Sequence, residues 1–360
     1  MANQSHFDLA LWQVHETEED CDLIFRTTNG RVFYCHLDPS HFLRSPQVTK
    51  QYFKCINLLR SGGEDQYDFC MDDAYEWFSD SFVTLINDLA LSTLTPPGNG
   101  HPTLSDYLFG PYFVCTLEAT DDVLKPKRLA TQNHGWRKPV ILADHHYLSE
   151  LRTWTRLYQS SEVELLYDEP GQVLVRPPTR VVVGRNSHST GKTYFYKQFG
   201  LLFGPQHAKK ELMALRQILE AQIPPPTGAR VCCLHGVVQV EDGIVGMLFD
   251  WIDKKAVLSA ALASERTIDI KRRWASQIKA TVEWLHACGI VWGDAKDENI
   301  LINKDENAWV IDFGGSYTPG WVDKEKAGSL EGDMQGLEKI MKILDRSGDN
   351  GACHKGLPDS

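Results

Sequence analysis

The sequence has no surplus of basic residues, no paired-cysteine motif and no long apolar run, and each absence argues against a class of protein. Its 360 residues contain 37 Lys and Arg against 48 Asp and Glu, a formal net charge of −11. Nucleic acids and anionic membrane surfaces attract an excess of positive charge, so we expect neither as a partner. No apolar run approaches the roughly 18 residues of a membrane-spanning helix.

The cysteines do not form a recognisable framework. There are nine, an odd number, and no CxxC pair occurs, which argues against a zinc ribbon and against a set of structural disulfides. The N-terminus has neither the basic start nor the apolar core of a signal peptide. These observations predict a soluble protein with reduced cysteines in the cytoplasm, with the nucleus as the other compartment left open.

The first 160 residues are predicted to form an α/β region of unknown role. Residues 21–27 and 31–36 are rich in β-forming side chains and flank Asn29-Gly30, a dipeptide suited to a tight hairpin turn. A helix is predicted to follow Asp72, with apolar residues at helical spacing and acidic residues at its start. No motif in this region indicates a function.

Residues 161–346 show a clearer order of strands and helices. Strands are predicted at 163–166, 180–183, 193–197 and 245–252, and helices at 207–221 and 271–288. Gly289 stands where a helix end favours a left-handed residue. Residues 347–360 are small and polar, and we expect a frayed tail there.

A loop and a β-hairpin after the last predicted helix carry the residues with chemical potential. Asp294, Lys296 and Asn299 lie in the loop, and Asp312 follows the second hairpin strand. The hairpin is expected to bring Asn299 and Asp312 to one end of a sheet, where their oxygen atoms suit Mg²⁺. Asp294 could then accept the proton of an attacking hydroxyl, and Lys296 could neutralise a transferring phosphoryl group.

These residues resemble the motifs of the protein kinase superfamily. The catalytic-loop pattern Asp-x-Lys-x-x-Asn is met by Asp294, Lys296 and Asn299, and Asp-Phe-Gly begins at Asp312. The resemblance covers residues 163–344 and implies an α+β, two-lobed protein-kinase-like fold. Its N-lobe would be a small antiparallel β-sheet with one helix, its C-lobe mainly helical and truncated, and the N-terminal α/β region an extension.

The resemblance also implies how ATP and Mg²⁺ would bind. Lys197 matches the lysine that contacts the ATP phosphates, and Glu211 matches its ion-pair partner. Asp250 and Ile252 lie in the stretch that resembles the hinge, whose backbone groups would contact adenine. Asp333 matches the aspartate that braces the catalytic loop.

The sequence departs from the kinase pattern in several places. Trp292-Gly293 replaces the usual His-Arg, the glycine after Asp-Phe is doubled, and no GxGxxG precedes Lys197. In these details the chain looks most like divergent kinase-like proteins of filamentous fungi. The segment between Asp312 and Asp333 is short and lacks Ala-Pro-Glu, so the acceptor hydroxyl is left open between a protein Ser/Thr and a small molecule. The alternative function is a pseudokinase, a scaffold that binds nucleotide or partners without turnover.

Two other motifs suggest different chemistry. Residues 184–193 resemble a P-loop, but six residues rather than four separate the glycines, and we expect a hairpin connection. Asp144-His145-His146 resembles part of a metal-dependent phosphoesterase site, although the further Asp and His clusters of such sites are missing. A surface loop is the preferred interpretation.

Overall fold

The computed structural model describes residues 6–14, 18–61, 69–90, 101–130, 140–185, 190–199, 204–241, 243–315 and 317–345. The predicted tail at 347–360 lies outside these residues. The chain divides into two compact units, Met1–Pro139 with Tyr158–Tyr196, and Val140–Leu157 with Lys197–Ser360. None of the helices in the described ranges has the length and apolar character needed to span a membrane.

Strands and helices are both abundant, so the chain is α+β, as predicted. The strands are β1 (Phe7–Val14), β2 (Cys21–Thr27), β3 (Val32–Leu37), β4 (Phe42–Leu43), β5 (Tyr112–Thr120), β6 (Val123–Leu129), β7 (Ile141–Leu142), β8 (Arg156–Gln159), β9 (Glu164–Leu165), β10 (Arg180–Val183), β11 (Lys192–Gln198), β12 (Leu234–Val240), β13 (Gly243–Asp250), β14 (Lys254–Val257), β15 (Ile300–Asn303) and β16 (Ala308–Val310). The helices are α1 (Pro46–Arg60), α2 (Met71–Ala90), α3 (Leu104–Leu108), α4 (His145–Trp154), α5 (Gly204–Leu219), α6 (Ala260–Ser264), α7 (Ile268–Ala287) and α8 (Leu330–Asp345).

A mixed sheet forms the core of the first unit. Its strand order is β1-β2-β3-β5-β4, with β6 paired to β5. The predicted hairpin is present, because β2 and β3 pair antiparallel and Gly30 adopts a φ of 82° in the turn. Alternate side chains of the strands pack against α1 and α2; Phe25 of β2, for example, lies 5.5 Å from Phe82 between ring centroids.

The connection between β10 and β11 excludes the P-loop interpretation. The two strands pair antiparallel, with Val183 opposite Lys192. Thr193 therefore continues a strand, whereas a P-loop leads into a helix whose N-terminus faces the phosphate. Residues 186–189 of the connection lie outside the described residues, and the strands on either side of it pair as neighbours.

In the second unit, β12 and β13 pair antiparallel with β7 on the edge, and β14, β15 and β16 form a separate sheet. Helix α7 buries the side chains that the periodicity predicted, namely Trp274, Ile278, Val282 and Leu285. It ends at Ala287, and Gly289 adopts a φ of 73°, as its position predicted. Strand β13 lies two residues earlier than predicted, so Ile252 falls beyond its end.

The Asp144-His145-His146 motif has a structural role, and both alternatives suggested for it are wrong. Asp144 caps helix α4, accepting a hydrogen bond of 2.7 Å from the backbone N–H of Tyr147. His145 and His146 are exposed in the first turn of that helix. Across the described part of the chain, no group of three or more His, Cys, Asp or Glu side chains could hold a metal ion.

Candidate active site

The loop between α7 and β15 holds Asp294 in a fixed orientation. Asp294 is 6% exposed. The side-chain nitrogen of Asn299 donates to the backbone carbonyl of Asp294 at 2.8 Å and to Asp294 Oδ2 at 3.0 Å. Because the Asn299 nitrogen is used in this way, its amide oxygen is the atom that could bind a metal.

Lys296 and Thr318 complete the contacts of the Asp294 carboxylate. The Lys296 ammonium lies 3.0 Å from Asp294 Oδ2 and donates to the Thr318 hydroxyl at 3.0 Å. That hydroxyl donates to Asp294 Oδ1 at 2.9 Å. Both carboxylate oxygens therefore accept hydrogen bonds. Thr318 is not among the predicted site residues, because a single threonine in a loop carries no signal until the fold brings it to Asp294.

Lys197, Glu211 and Asp312 form a second cluster. The Lys197 ammonium lies 2.6 Å from Glu211 Oε1 and 2.8 Å from Asp312 Oδ1. Lys197 is near the end of β11, Glu211 is buried on α5, and Asp312 follows β16. The structure thus joins three residues that the sequence placed in one site, although up to 115 positions separate them.

Burial and charge act in opposite directions on the pKa values of this cluster. Burial acts to lower the pKa of Lys197, but the Glu211 and Asp312 carboxylates outweigh it and the pKa is raised. Burial acts to raise the pKa of Asp312, but Lys197 more than offsets it and the pKa is lowered. Glu211 is the most deeply buried, and burial raises its pKa. Asp312 is therefore a carboxylate at neutral pH.

The backbone delivers Asp312 in an unusual conformation. The N–H of Ile311 donates to the carbonyl of Asn299 at 3.0 Å, which keeps the two ends of the hairpin together. Asp312 itself has a φ of 63°, a left-handed conformation that costs a non-glycine residue about 1 kcal/mol or more. Such strain persists only where surrounding contacts hold it.

The ring of His207, on α5, packs against Gly314, two residues after Asp312. Burial lowers the pKa of His207 and the Lys197 charge adds to this effect, while Asp312 and Asp294 act in the opposite direction.

The oxygen atoms of Asp312 and Asn299 fit a magnesium ion. An ionised carboxylate and an amide oxygen are hard ligands, and Mg²⁺ sites commonly use one or two such groups and complete the shell with water and phosphate oxygens. These two residues would hold the ion. Their role as metal ligands stays a prediction.

Asp333 braces the loop before Asp294. Its carboxylate accepts hydrogen bonds of 2.7 Å from the backbone N–H groups of Trp292 and Gly293, and lies 3.0 Å from the His286 ring. The Trp292 indole donates to the carbonyl of Ile311 at 2.9 Å. The tryptophan that departs from the kinase pattern therefore ties the catalytic loop to the residue before Asp312.

Two further departures from the pattern, Gly293 and the doubled glycine at Gly314-Gly315, fit each other. A side-chain carbon on Gly293 would lie 2.9 Å from the Cα of Gly315, the second glycine of the doubled pair. Gly293 has a φ of 89° and Gly315 a φ of 63°, conformations that glycine adopts without cost. Direct backbone packing thus joins the catalytic loop to the segment after Asp312.

The stretch that resembles a hinge follows β13. The backbone N–H of Asp250 donates to the carbonyl of Cys233 at 3.0 Å, so the group of Asp250 that could face adenine is its carbonyl. Ile252 is half-buried and packs against the core of the unit. Contact of these two residues with adenine stays a prediction.

Replacing Asp333 with asparagine should destabilise the protein by about 2 kcal/mol, because an amide nitrogen would face one of the two backbone N–H donors. The measurement is the urea midpoint of the variant against wild type. Asp345→Asn, at the end of α8, is the control. An unchanged midpoint for Asp333→Asn would show that these hydrogen bonds contribute nothing to stability.

Comparison with known proteins identifies a kinase stretch. A family model for the protein kinase domain matches residues 206–322. The serine/threonine-protein kinase PKH3 of Eremothecium gossypii is 35% identical over 90 residues, 25% of this chain and 11% of that kinase. The serine/threonine-protein kinase kin-29 of Caenorhabditis briggsae is 50% identical over 50 residues, 14% of this chain and 6% of that kinase.

A third relative has a similar extent of match. The serine/threonine-protein kinase pim-2 of Danio rerio is 39% identical over 72 residues, 20% of this chain and 21% of that kinase. The chain thus spans only about a tenth of the length of the first of these relatives. The similarity concerns the kinase stretch and not the whole of any relative.

Proposed function

We propose, from the match of residues 206–322 to the protein kinase domain, that the chain transfers the γ-phosphate of ATP to a hydroxyl acceptor with the help of Mg²⁺. The observation that supports this best is the arrangement around Asp294. Both of its carboxylate oxygens are fixed by hydrogen bonds, and Lys296 contacts it at 3.0 Å. Phosphoryl transfer requires positioning and charge stabilisation of this kind.

Each residue of the site has a proposed role. Asp294 orients the acceptor hydroxyl and receives its proton, and Lys296 stabilises charge on the transferring group. Lys197, held by Glu211, contacts the nucleotide phosphates. Asn299 and Asp312 would hold Mg²⁺, which would partly neutralise the charge of those phosphates. Backbone groups of Asp250 and Ile252 contact adenine.

We propose serine or threonine in a protein as the first acceptor to test, because relatives with matching segments are named serine/threonine-protein kinases. A small-molecule hydroxyl is the second. The catalytic domain is proposed at residues 161–346, with residues 1–160 as an extension and the protein in the cytoplasm.

The test is transfer of the labelled γ-phosphate of ATP by the purified chain. We expect label on a Ser/Thr peptide library or on a panel of small-molecule alcohols, and loss of transfer when EDTA removes Mg²⁺. Thermal stabilisation by Mg²⁺-ATP without transfer to any acceptor would instead support the pseudokinase alternative. Absence of both transfer and stabilisation would reject both functions.

A further inference from the structure

The ring of His207 occupies the space that a side chain at position 314 would need. A carbon atom added to Gly314 would lie 2.4 Å from Nε2, 2.7 Å from Cε1 and 3.3 Å from Cδ2 of that ring. Nonbonded heavy atoms normally stay about 3.5 Å apart or more. The edge of the imidazole ring therefore packs directly against the Gly314 backbone.

Gly314 in turn contacts the Asp312 carboxylate. Its backbone N–H donates a hydrogen bond to that carboxylate. A displacement of Gly314 would therefore remove or bend one of the contacts that orient Asp312. Since Asp312 has a φ of 63°, its position depends on such contacts.

Helix α5 thus contacts this segment at two points. His207 and Glu211 are four residues apart, one helical turn, and so lie on the same side of α5. Glu211 acts on Asp312 through Lys197, and His207 acts on it through Gly314. Two contacts fix an orientation that a single ion pair leaves free to rotate.

We propose that His207 is a positioning residue, which packs on Gly314 and thereby orients the Asp312 carboxylate for Mg²⁺-ATP. The proposal rests on the proposed function, since it assigns Asp312 to the metal. His207 contacts neither nucleotide nor metal in this role.

The test compares His207→Ala, Gly314→Ala and the double variant in the full chain. The measured quantity is the Mg²⁺ concentration that gives half-maximal binding of a fluorescent ATP analogue. Groups that orient a metal ligand typically contribute 10- to 100-fold to affinity, so each single variant should weaken Mg²⁺ binding by about 10-fold. Gly314 lies outside the left-handed region, so alanine there disturbs the site only through its methyl group.

The double variant distinguishes positioning from independent damage. If the methyl group acts by displacing the ring, adding it to His207→Ala should cause little further loss, so the double variant should bind about as well as His207→Ala alone. Losses that multiply would overturn the proposal. Gln206→Ala, at an exposed position beside His207, is the control and should bind like wild type.

Two further results separate this proposal from the proposed function. His207→Gln keeps a planar polar end without a titrating ring, and we expect it to restore much of the affinity lost in His207→Ala. If the wild type binds Mg²⁺-ATP and His207→Ala binds it with the same affinity, only the role of His207 is overturned. If wild type binds no Mg²⁺-ATP, both the role of His207 and the proposed function fail.

Discussion

A variant with asparagine at position 294 is expected to transfer phosphate about 10²- to 10⁴-fold more slowly than wild type, the usual contribution of a positioned general base. Asparagine cannot accept the proton of the acceptor hydroxyl. It can still keep the local geometry, because its nitrogen can donate to Thr318 while its oxygen accepts from Asn299. The fold and the binding of Mg²⁺-ATP should therefore survive, and the loss should appear in kcat.

The measurement for Asp294→Asn is steady-state transfer with the best acceptor, together with the dissociation constant of Mg²⁺-ATP. Thr318→Val is an informative companion, since it leaves the carboxylate but removes the donor to Oδ1. We expect a smaller decrease in kcat there. Glu331→Gln is the control, because Glu331 is an exposed carboxylate in the first turn of α8. Wild-type turnover in Asp294→Asn would remove this residue from the mechanism.

Replacing Lys197 with methionine is expected to abolish detectable nucleotide binding and to destabilise the fold by about 3 kcal/mol. This is the lower end of the range for breaking a buried ion pair, because Lys197 is 30% exposed. Glu211 would then be a buried carboxylate beside Asp312 without a cation. Burial already raises the pKa of Glu211, and loss of Lys197 should raise it further.

This change makes the stability of Lys197→Met depend on pH in a definite direction. A carboxyl group whose pKa is higher in the folded than in the unfolded chain binds extra protons on folding. The destabilisation is therefore complete above the folded-state pKa of Glu211 and decreases as the pH falls below it toward the lower pKa of this group in the unfolded chain. The thermal midpoint of this variant should rise as the pH is lowered from 8 to 5.

The double variant Lys197→Met with Glu211→Gln tests the cause of that pH dependence. Without the buried carboxylate it should be more stable at pH 8 than Lys197→Met, and the rise in midpoint toward low pH should largely disappear. Glu338→Gln, in an exposed i,i+4 pair on α8, is the matched control and should leave the pH profile of Lys197→Met unchanged. A profile that persists without Glu211 would assign the effect to another group.

Local order along the chain explains what could be predicted. Apolar residues at helical spacing predict helix α7, and the helix packs them inward as predicted. Asp294, Lys296 and Asn299 lie within six residues of one another, so a single loop suffices to bring them together. A short hairpin then places Asp312 near Asn299. Separations of this size are set by backbone geometry, which the sequence encodes directly.

Other features depend on contacts between distant segments. No local pattern shows that Thr318 binds Asp294, or that His207 packs on Gly314, because each contact joins different elements. No local pattern shows either that residues 140–157 belong to the second compact unit, although they precede part of the first unit in the sequence. Asp144 was expected in a surface loop and is a helix cap in the structure.

The sequence by itself determined the chemistry available to this protein: an acidic residue, a lysine and an asparagine at fixed spacing, and an aspartate one hairpin later. Tertiary structure alone decided how those groups are held. It supplied the hydroxyl of Thr318, joined Lys197 to Glu211 and Asp312, and paired Gly293 with Gly315. The physical reason is that hydrogen bonds and packing act over a few ångströms, and only the folded chain brings residues far apart in sequence within that range.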